Sequence, residues 1–435
     1  MRRAIDAPLL FTWLLLLPVL AQEEPFADEE FDTCLEDLLT LEVISATRRL
    51  EKVVQAPATI DVVTIEEIKR YNYRDLKDVL KHIIGVEWVF PGSWLQGGQR
   101  GNASNFAQTK LLVNGRETNV PWTGEAFNSN QFMLNNVRQI EIISGPASAL
   151  YGADAFVGII NIITTSPETD GKDYQVTAAV GEGDRREVSF LGNYLGGPWQ
   201  FAAAASLFRH ERSHGSDFTL TDAFSPVNRE VRQDFRDRGL RYVDPDQGTQ
   251  ISIDLDYQPS LAHHFQSGFL FFKNQDGGGQ EQNLVHFEGF HDRREQEHYY
   301  FSYDYAPHNE LLIHLEYHYL HEDDFINFIL DPDDEELALD PVPLPDNHVF
   351  NVEDSRLTNY TLQVDWELPA LKNYLIFGLQ RRELESGDPV SLNITENPTL
   401  FPNPDLPPDF SDDVLNQTKN AVFVQSQQAL MNERL

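Results

Sequence analysis

Cysteine is nearly absent: Cys34 is the only one in 435 residues, so no disulfide within the chain can hold the fold together. Basic residues are scarce too, with 33 Lys and Arg against 69 Asp and Glu and a net charge of -36. That balance argues against a nucleic-acid partner, because phosphate binding needs a basic surface. The acidity itself reads as a solvated surface or as one that faces cations. Long apolar runs are missing after the first residues, and no later stretch approaches the roughly 20 residues of a spanning helix. The glycine-rich "ISGPASALYGADAFVGIINIITTSP" (143–167) has neither of the phosphate-loop spacings, G-x-G-x-x-G or G-x-x-x-x-G-K-[ST]. "GPASA" also lacks the second glycine of a nucleophile elbow, so Ser148 is no nucleophile. No catalytic constellation, enzymatic activity, resident metal or cofactor is expected.

At the N-terminus, Arg2 and Arg3 precede the apolar "LLFTWLLLLPVLA" (9–21), and Val19 and Ala21 are small residues at the end of that run. This is the pattern of a secretory signal, residues 1–21, cleaved after Ala21. Cys34 follows "FDT", unlike a lipidation site. Residues 22–50 form an acidic leader expected to be disordered. A mixed α/β region spans 51–168. In it "ATIDVVT" is a strand, and Thr64 with Glu67 forms a capping box that opens one or two helices ending at Gly85. "KLLVNGRETNV" is a hairpin around Asn114-Gly115. "VRQIEIIS" and "GIINIIT" are two further strands, the second too short to span a bilayer as a helix.

From residue 172 to 435 the periodicity becomes two. In "ISIDLDYQ", "LLIHLEYHYL" and "LTNYTLQVDWEL" apolar and aromatic residues take one face and polar residues the other. Ten strands are expected, at about 173–181, 186–195, 199–210, 249–258, 264–273, 297–305, 311–321, 357–368, 374–385 and 419–430. Short turns alternate with long polar loops at about 211–248, 275–295, 323–354 and 387–417. That rhythm, with an apolar outer face and a polar inner one, is the signature of a transmembrane β-barrel.

"APATIDVVTIEEI", "DLKDVLKHIIGVEW", "LLVNGRETN" and above all "VRQIEIISGPASALYGADAFVGIINIITTSP" resemble the plug domain of TonB-dependent outer-membrane receptors. The resemblance covers about residues 41–167 closely and the rest as an architecture. It implies a small α/β plug followed by an antiparallel transmembrane β-barrel of about 22 strands. Ten are fewer than that, and a barrel must close to satisfy its backbone, so further strands are expected beyond Leu435, with this chain a fragment or truncated product. Ser144 departs from the family pattern, in which Arg usually precedes Gly-Pro, and that puts a plug–barrel contact there in doubt.

The resemblance further implies a receptor in the outer membrane of a Gram-negative bacterium, surrounded by outer-membrane lipid, that takes up a ferric siderophore or a similar metal complex such as cobalamin. A passive porin or adhesin is the alternative, but a porin needs no plug. The implied partner is the periplasmic protein TonB, which pairs as an added strand with a box near the mature N-terminus. The best match is "LEVISAT", Leu41, Glu42, Val43, Ile44, Ser45, Ala46 and Thr47, read as extended, unpaired chain able to join a partner's sheet, or simply as the plug's first strand.

Ligand candidates are Trp94, Gln96, Gln99, Arg100, Trp122 and Phe127, aromatics with amide and guanidinium donors expected at outward plug apices. The structural plug motif is Gly145, Pro146, Leu150, Tyr151, Gly152, Gly158 and Asn161. Its glycines are expected to permit turns around a short helical "ASALY" and a close approach at Gly158. His314, Glu316 and His318 share one strand face and read as polar lumen lining, and "DPDDEE" (331–336) lacks calcium-loop spacing.

Overall fold

The computed structural model describes residues 41–45, 51–53, 56, 58–88, 97–99, 108–121, 124, 126, 132–151, 155–167, 169–214, 243–276, 291–328, 348–386 and 416–428. Two short strands, β1 (Glu42–Val43) and β2 (Glu51–Lys52), pair antiparallel at its start. The β-branched run of β3 (Thr59–Thr64) follows. Thr64 Oγ1 accepts the Glu67 N–H while the Glu67 carboxylate accepts that of Thr64, the reciprocal cap expected for helix α1 (Ile65–Arg70).

Helix α2 (Leu76–Leu80), capped by Asp75, stops before the expected Gly85. The N–H groups of His82 and Ile83 bond three residues back, to Val79 and Leu80, and this tightens the last turn. Gly85, at φ +84°, turns the chain into β4 (Val86–Trp88), which pairs with β5 (Gly97–Gln99).

The hairpin β6 (Thr109–Val113) and β7 (Arg116–Glu117) turns on Asn114 and Gly115 at φ +49° and +79°, as a type I′ turn requires. β8 (Val137–Ser144), the four-residue helix α3 (Ser148–Tyr151) and β9 (Gly158–Thr164) complete a sheet of order β3-β8-β9-β6-β7. Only β6 and β9 run parallel. Both faces are covered: Leu76, Leu80, Leu111, Ile140, Ile142 and Ile160 bury on one side, and Leu112, Ile143, Tyr151 and Ile159 on the other. Each such apolar side chain contributes about 1.5–3 kcal/mol relative to exposure.

Ten long strands follow: β10 (Gly171–Gly181), β11 (Arg185–Gly196), β12 (Trp199–His214), β13 (Val243–Ser260), β14 (His263–Asp276), β15 (His291–His308), β16 (Leu311–Phe328), β17 (His348–Leu368), β18 (Asn373–Glu385) and β19 (Asn416–Gln428). Each pairs antiparallel with the next. The count is the one the alternation predicts, but the ladders run further into the polar segments, taking in 211–214, 243–248, 291–296 and 348–356. Backbone pairing does not depend on side-chain polarity, so it continues past the end of the apolar pattern.

Outward-facing residues are apolar and aromatic, among them Trp199, Phe201, Ile253, Leu255, Phe301, Leu315, Tyr317, Trp366, Phe377 and Val424, all well exposed. Residues that alternate with the outward ones, among them Ala202, Ser252, Gln296, His298, His318, Asn359 and Gln363, are buried on the opposite face. Glu42–Leu435 form one compact unit, in which the small sheet packs on that polar face. Phe132 sits edge-on to Phe272 at 4.8 Å between ring centroids. The Met133 N–H donates to Gln250 Oε1 at 2.8 Å, and Asn136 Nδ2 to Ser252 Oγ at 3.0 Å.

Candidate functional site: a clasped N-terminal segment and the plug–wall contacts

Leu41–Thr47 reads from the sequence either as unpaired chain or as the plug's first strand, and the structure shows a short strand within it at Glu42–Val43. Glu42 and Val43 pair with Glu51 and Lys52, and Val43 and Ser45 are fully buried. The backbone beyond is held by one side chain of β8. Glu141 Oε2 accepts the N–H groups of Ser45 at 2.8 Å and Ile44 at 3.1 Å. Gln139 Nε2 then donates both to Glu141 Oε1 at 2.7 Å and to the Glu42 carbonyl at 2.9 Å. A carboxylate accepting several N–H groups makes charge-assisted hydrogen bonds, so two otherwise orphaned backbone donors find a strong acceptor. Ala46 and Thr47 lie outside the described residues.

Asn161 extends the clasp. Its Nδ2 donates to Ser45 Oγ at 2.8 Å, and its Oδ1 accepts the Gly115 N–H at 3.0 Å. One side chain of the expected structural motif thus joins the segment to the hairpin turn. Gly145 adopts φ +142°, Pro146 is exposed, and Tyr151 is buried with its carbonyl accepting from Lys110 Nζ at 3.0 Å. Leu150 lies in α3, and Gly152 is outside the described residues. At Gly158 a Cβ would overlap Gln99 Oε1 and the Ile143 carbonyl oxygen, which is the close approach expected there.

Among the ligand candidates, Gln99 is described, and it is not at an outward apex. It is fully buried beside Gly158, with Oε1 accepting from Thr109 Oγ1 at 3.2 Å. The missing Cβ of Gly158 opens the space that an amide fills, so the side chain turns inward. Trp94, Gln96, Arg100, Trp122 and Phe127 lie outside the described residues, as does 331–336.

The hairpin carries the charged contacts to the wall. Glu117 lies between Lys110 Nζ and Arg382 Nη2, each at 3.0 Å. Burial pushes its carboxyl up, but the neighbouring Arg382 and Lys110 charges and their hydrogen bonds outweigh this and hold it down at about 2. Arg116 pairs with Glu316 at 3.0 Å, and its guanidinium lies 3.5 Å from the centre of the Tyr300 ring. Tyr300 packs over Gly268, where a Cβ would overlap the ring, and its hydroxyl donates to Asp254.

The strand-face trio therefore separates. His314 meets Asp304 at 2.6 Å, Glu316 takes Arg116, and His318 meets His298 at 3.3 Å. A cavity of about 610 Å³ runs between small sheet and wall, lined by Ile44, Arg116, Asn161, Asp254, His314 and Glu316 among others.

The profile of the TonB-dependent Receptor Plug Domain matches residues 52–159. Residues 52–159 therefore carry the plug domain of TonB-dependent receptors. The chain is 28% identical over 235 residues to the iron-regulated outer membrane virulence protein of Vibrio cholerae serotype O1, covering 52% of this chain and 32% of that one. Similarity to the vitamin B12 transporter of Vibrio vulnificus is 32% over 155 residues, 34% of this chain and 24% of the relative. Among solved structures, a mutant ferric enterobactin receptor of Pseudomonas aeruginosa superposes with a TM-score of 0.62 at 17% identity, over 90% of this chain and 57% of that chain. A siderophore receptor of Acinetobacter baumannii gives 0.56 at 12%, over 89% and 56%. The chain thus spans about a third or less of these curated relatives and somewhat over half of these solved chains.

These likenesses give the strand fold and place the small sheet as the receptor plug. The family is one of receptors and transporters rather than enzymes. Gln139 and Glu141 of the clasp, and all the plug–wall ion pairs, were missed from the sequence. A Glu in the alternating strand "VRQIEIIS" carries no local sign of the backbone it will hold.

Proposed function

We propose that this chain acts in the outer membrane as an energy-coupled receptor that takes up a scarce metal complex, a ferric siderophore before cobalamin. The observation that carries the proposal is the clasp. Residues 42–45 are ordered against the plug sheet by a few hydrogen bonds, so a strand partner can capture them while the core of the plug keeps its contacts. TonB is the partner this reading assigns, with Leu41–Thr47 as its box and residues 1–21 as the export signal. The iron-related names of the relatives and structural neighbours favour a ferric chelate, while the B12 transporter keeps cobalamin as the alternative cargo. The ion pairs from Arg116 and Glu117 to Glu316 and Arg382 tether the plug to the wall, an arrangement a passive pore does not need.

Cells making the protein with Leu41–Thr47 deleted are expected to bind a radiolabelled ferric siderophore but not to accumulate it. Energy-independent accumulation at the unmodified rate would sink the reading. A Cys placed at Val43 should cross-link to TonB more readily once Glu141→Gln loosens the clasp. Parallel uptake assays with ferric chelates and labelled cobalamin decide the cargo.

A further inference from the structure

Two histidines of the wall face one another, apart from the clasp and its neighbouring ion pairs. His298 on β15 and His318 on β16 are almost completely buried, at 2% and 1% exposure. His298 Nδ1 lies 3.3 Å from His318 Nε2, the ring planes differ by 10° and the ring centres are 5.5 Å apart. That spacing belongs to two imidazoles joined edge to edge, with the facing nitrogens close to the line between the ring centres. The outer nitrogens, His298 Nε2 and His318 Nδ1, are buried without a hydrogen-bond partner. A neutral imidazole has one N–H and one acceptor nitrogen. A hydrogen bond between the rings therefore leaves one outer nitrogen a bare acceptor and the other a donor.

Two neighbouring amide oxygens lack donors. Asn359, directly across from His318 on β17, has a buried Oδ1 with no partner. Gln296, two residues before His298 on the same face of β15, donates its Nε2 to Glu322 and, at 3.3 Å, to the Thr118 carbonyl. Its Oε1 is left buried and without a donor. Amide oxygens only accept, so these neighbours suit an N–H on each outer nitrogen. The two facing nitrogens then present lone pairs to each other, and a positive ion between them resolves that arrangement.

We propose that His298 Nδ1 and His318 Nε2 hold one copper(I) ion between them. Imidazole suits copper, and an amide oxygen on the outer N–H is the orienting contact that metal-bound histidines make. Among the described residues no group of three His, Cys, Asp or Glu side chains is placed to share an ion. That disfavours zinc, which takes four ligands, and selects an ion satisfied by two nitrogens in line. Arg116 borders the site but is neutralised by Glu316 at 3.0 Å. A hollow of about 20 Å³ beside both histidines gives the rings room to part by the fraction of an ångström that two metal–nitrogen bonds require. His318 and Asn359 also line the larger cavity of about 610 Å³, which gives the ion a way in. The proposal rests on the folded wall and not on TonB coupling or on the cargo, so failure of uptake leaves it standing.

The full chain in detergent tests it, carrying Cys34→Ser so that no thiol competes, and loaded with copper(I) under ascorbate. One copper per chain should survive a copper(I) chelator, and X-ray absorption should show a two-coordinate ion with nitrogen neighbours. Silver(I) should displace it and zinc should not. His298→Gln and His318→Gln should each lose that copper, and Asn359→Leu should bind it about tenfold or more weakly. His308→Gln, at the exposed β15–β16 turn, should change nothing, and circular dichroism checks that strand content is kept. No copper retained by the unmodified histidine pair, sulfur or additional neighbours around it, or equal retention when both histidines are replaced overturns the proposal.

Discussion

Two carboxyl groups of the plug give stability opposite pH dependences. Glu117, held at about 2 against a usual 4.5, contributes stability that is complete above pH 4.5 and lost as pH falls towards 2, on the order of 3 kcal/mol. Asp75 behaves in reverse: burial, reinforced by the charge of Asp78, raises it to about 6. Its contribution is complete below its usual value near 3.8 and lost as pH rises through 6. Urea unfolding between pH 2 and 7 should show a rising limb that Glu117→Gln removes and a falling limb that Asp75→Asn removes. Gly158→Ala forces a methyl group into Gln99 and the Ile143 carbonyl oxygen, and a loss of about 1–3 kcal/mol is expected in the same assay.

At the scale of the element, the hairpin β6–β7 brings plug and wall together. Its turn residues have positive φ, so Gly115→Val should cost more than about 1 kcal/mol and displace both Arg116 and Glu117 from their wall partners. A crystal structure of that variant, or loss of coupling between Glu117 and Arg382 in a double-mutant cycle, checks it. The hairpin was legible because Asn-Gly between β-rich arms is a local signal, as were the capping box and the two strands around "GPASALYG". What the hairpin touches was not legible, since Arg382 lies 265 residues away from Glu117. Gln99 shows the same limit. Amide and glycine neighbours suggested an exposed loop, but the space beside Gly158 is supplied by a strand nearly 60 residues downstream.

For the whole molecule, alternation along the strands separates an apolar and aromatic outer face from a polar inner face that packs against the plug. Ten strands could be counted from the sequence because that alternation repeats in each of them. Their upper ends could not be placed, because the regular alternation of apolar and polar residues stops short of them while backbone pairing persists. Leu379→Arg, outward and 40% exposed, should destabilise the protein in bilayers by about 2–4 kcal/mol. Gln380→Arg, one residue along on the lumen side, should cost much less. Equal losses in bilayer unfolding would reverse the assignment of faces.

The clasp also has an order in time. Its acceptor Glu141 lies 96 residues after Ser45, and Asn161 lies 116 after it, so the docking place for the N-terminal segment does not exist until β8 and β9 have been made and paired. Residues 42–45 can therefore settle only after those strands are in place. Neither apolar cluster of the plug includes residues 42–45, so opening the clasp would leave both clusters in place.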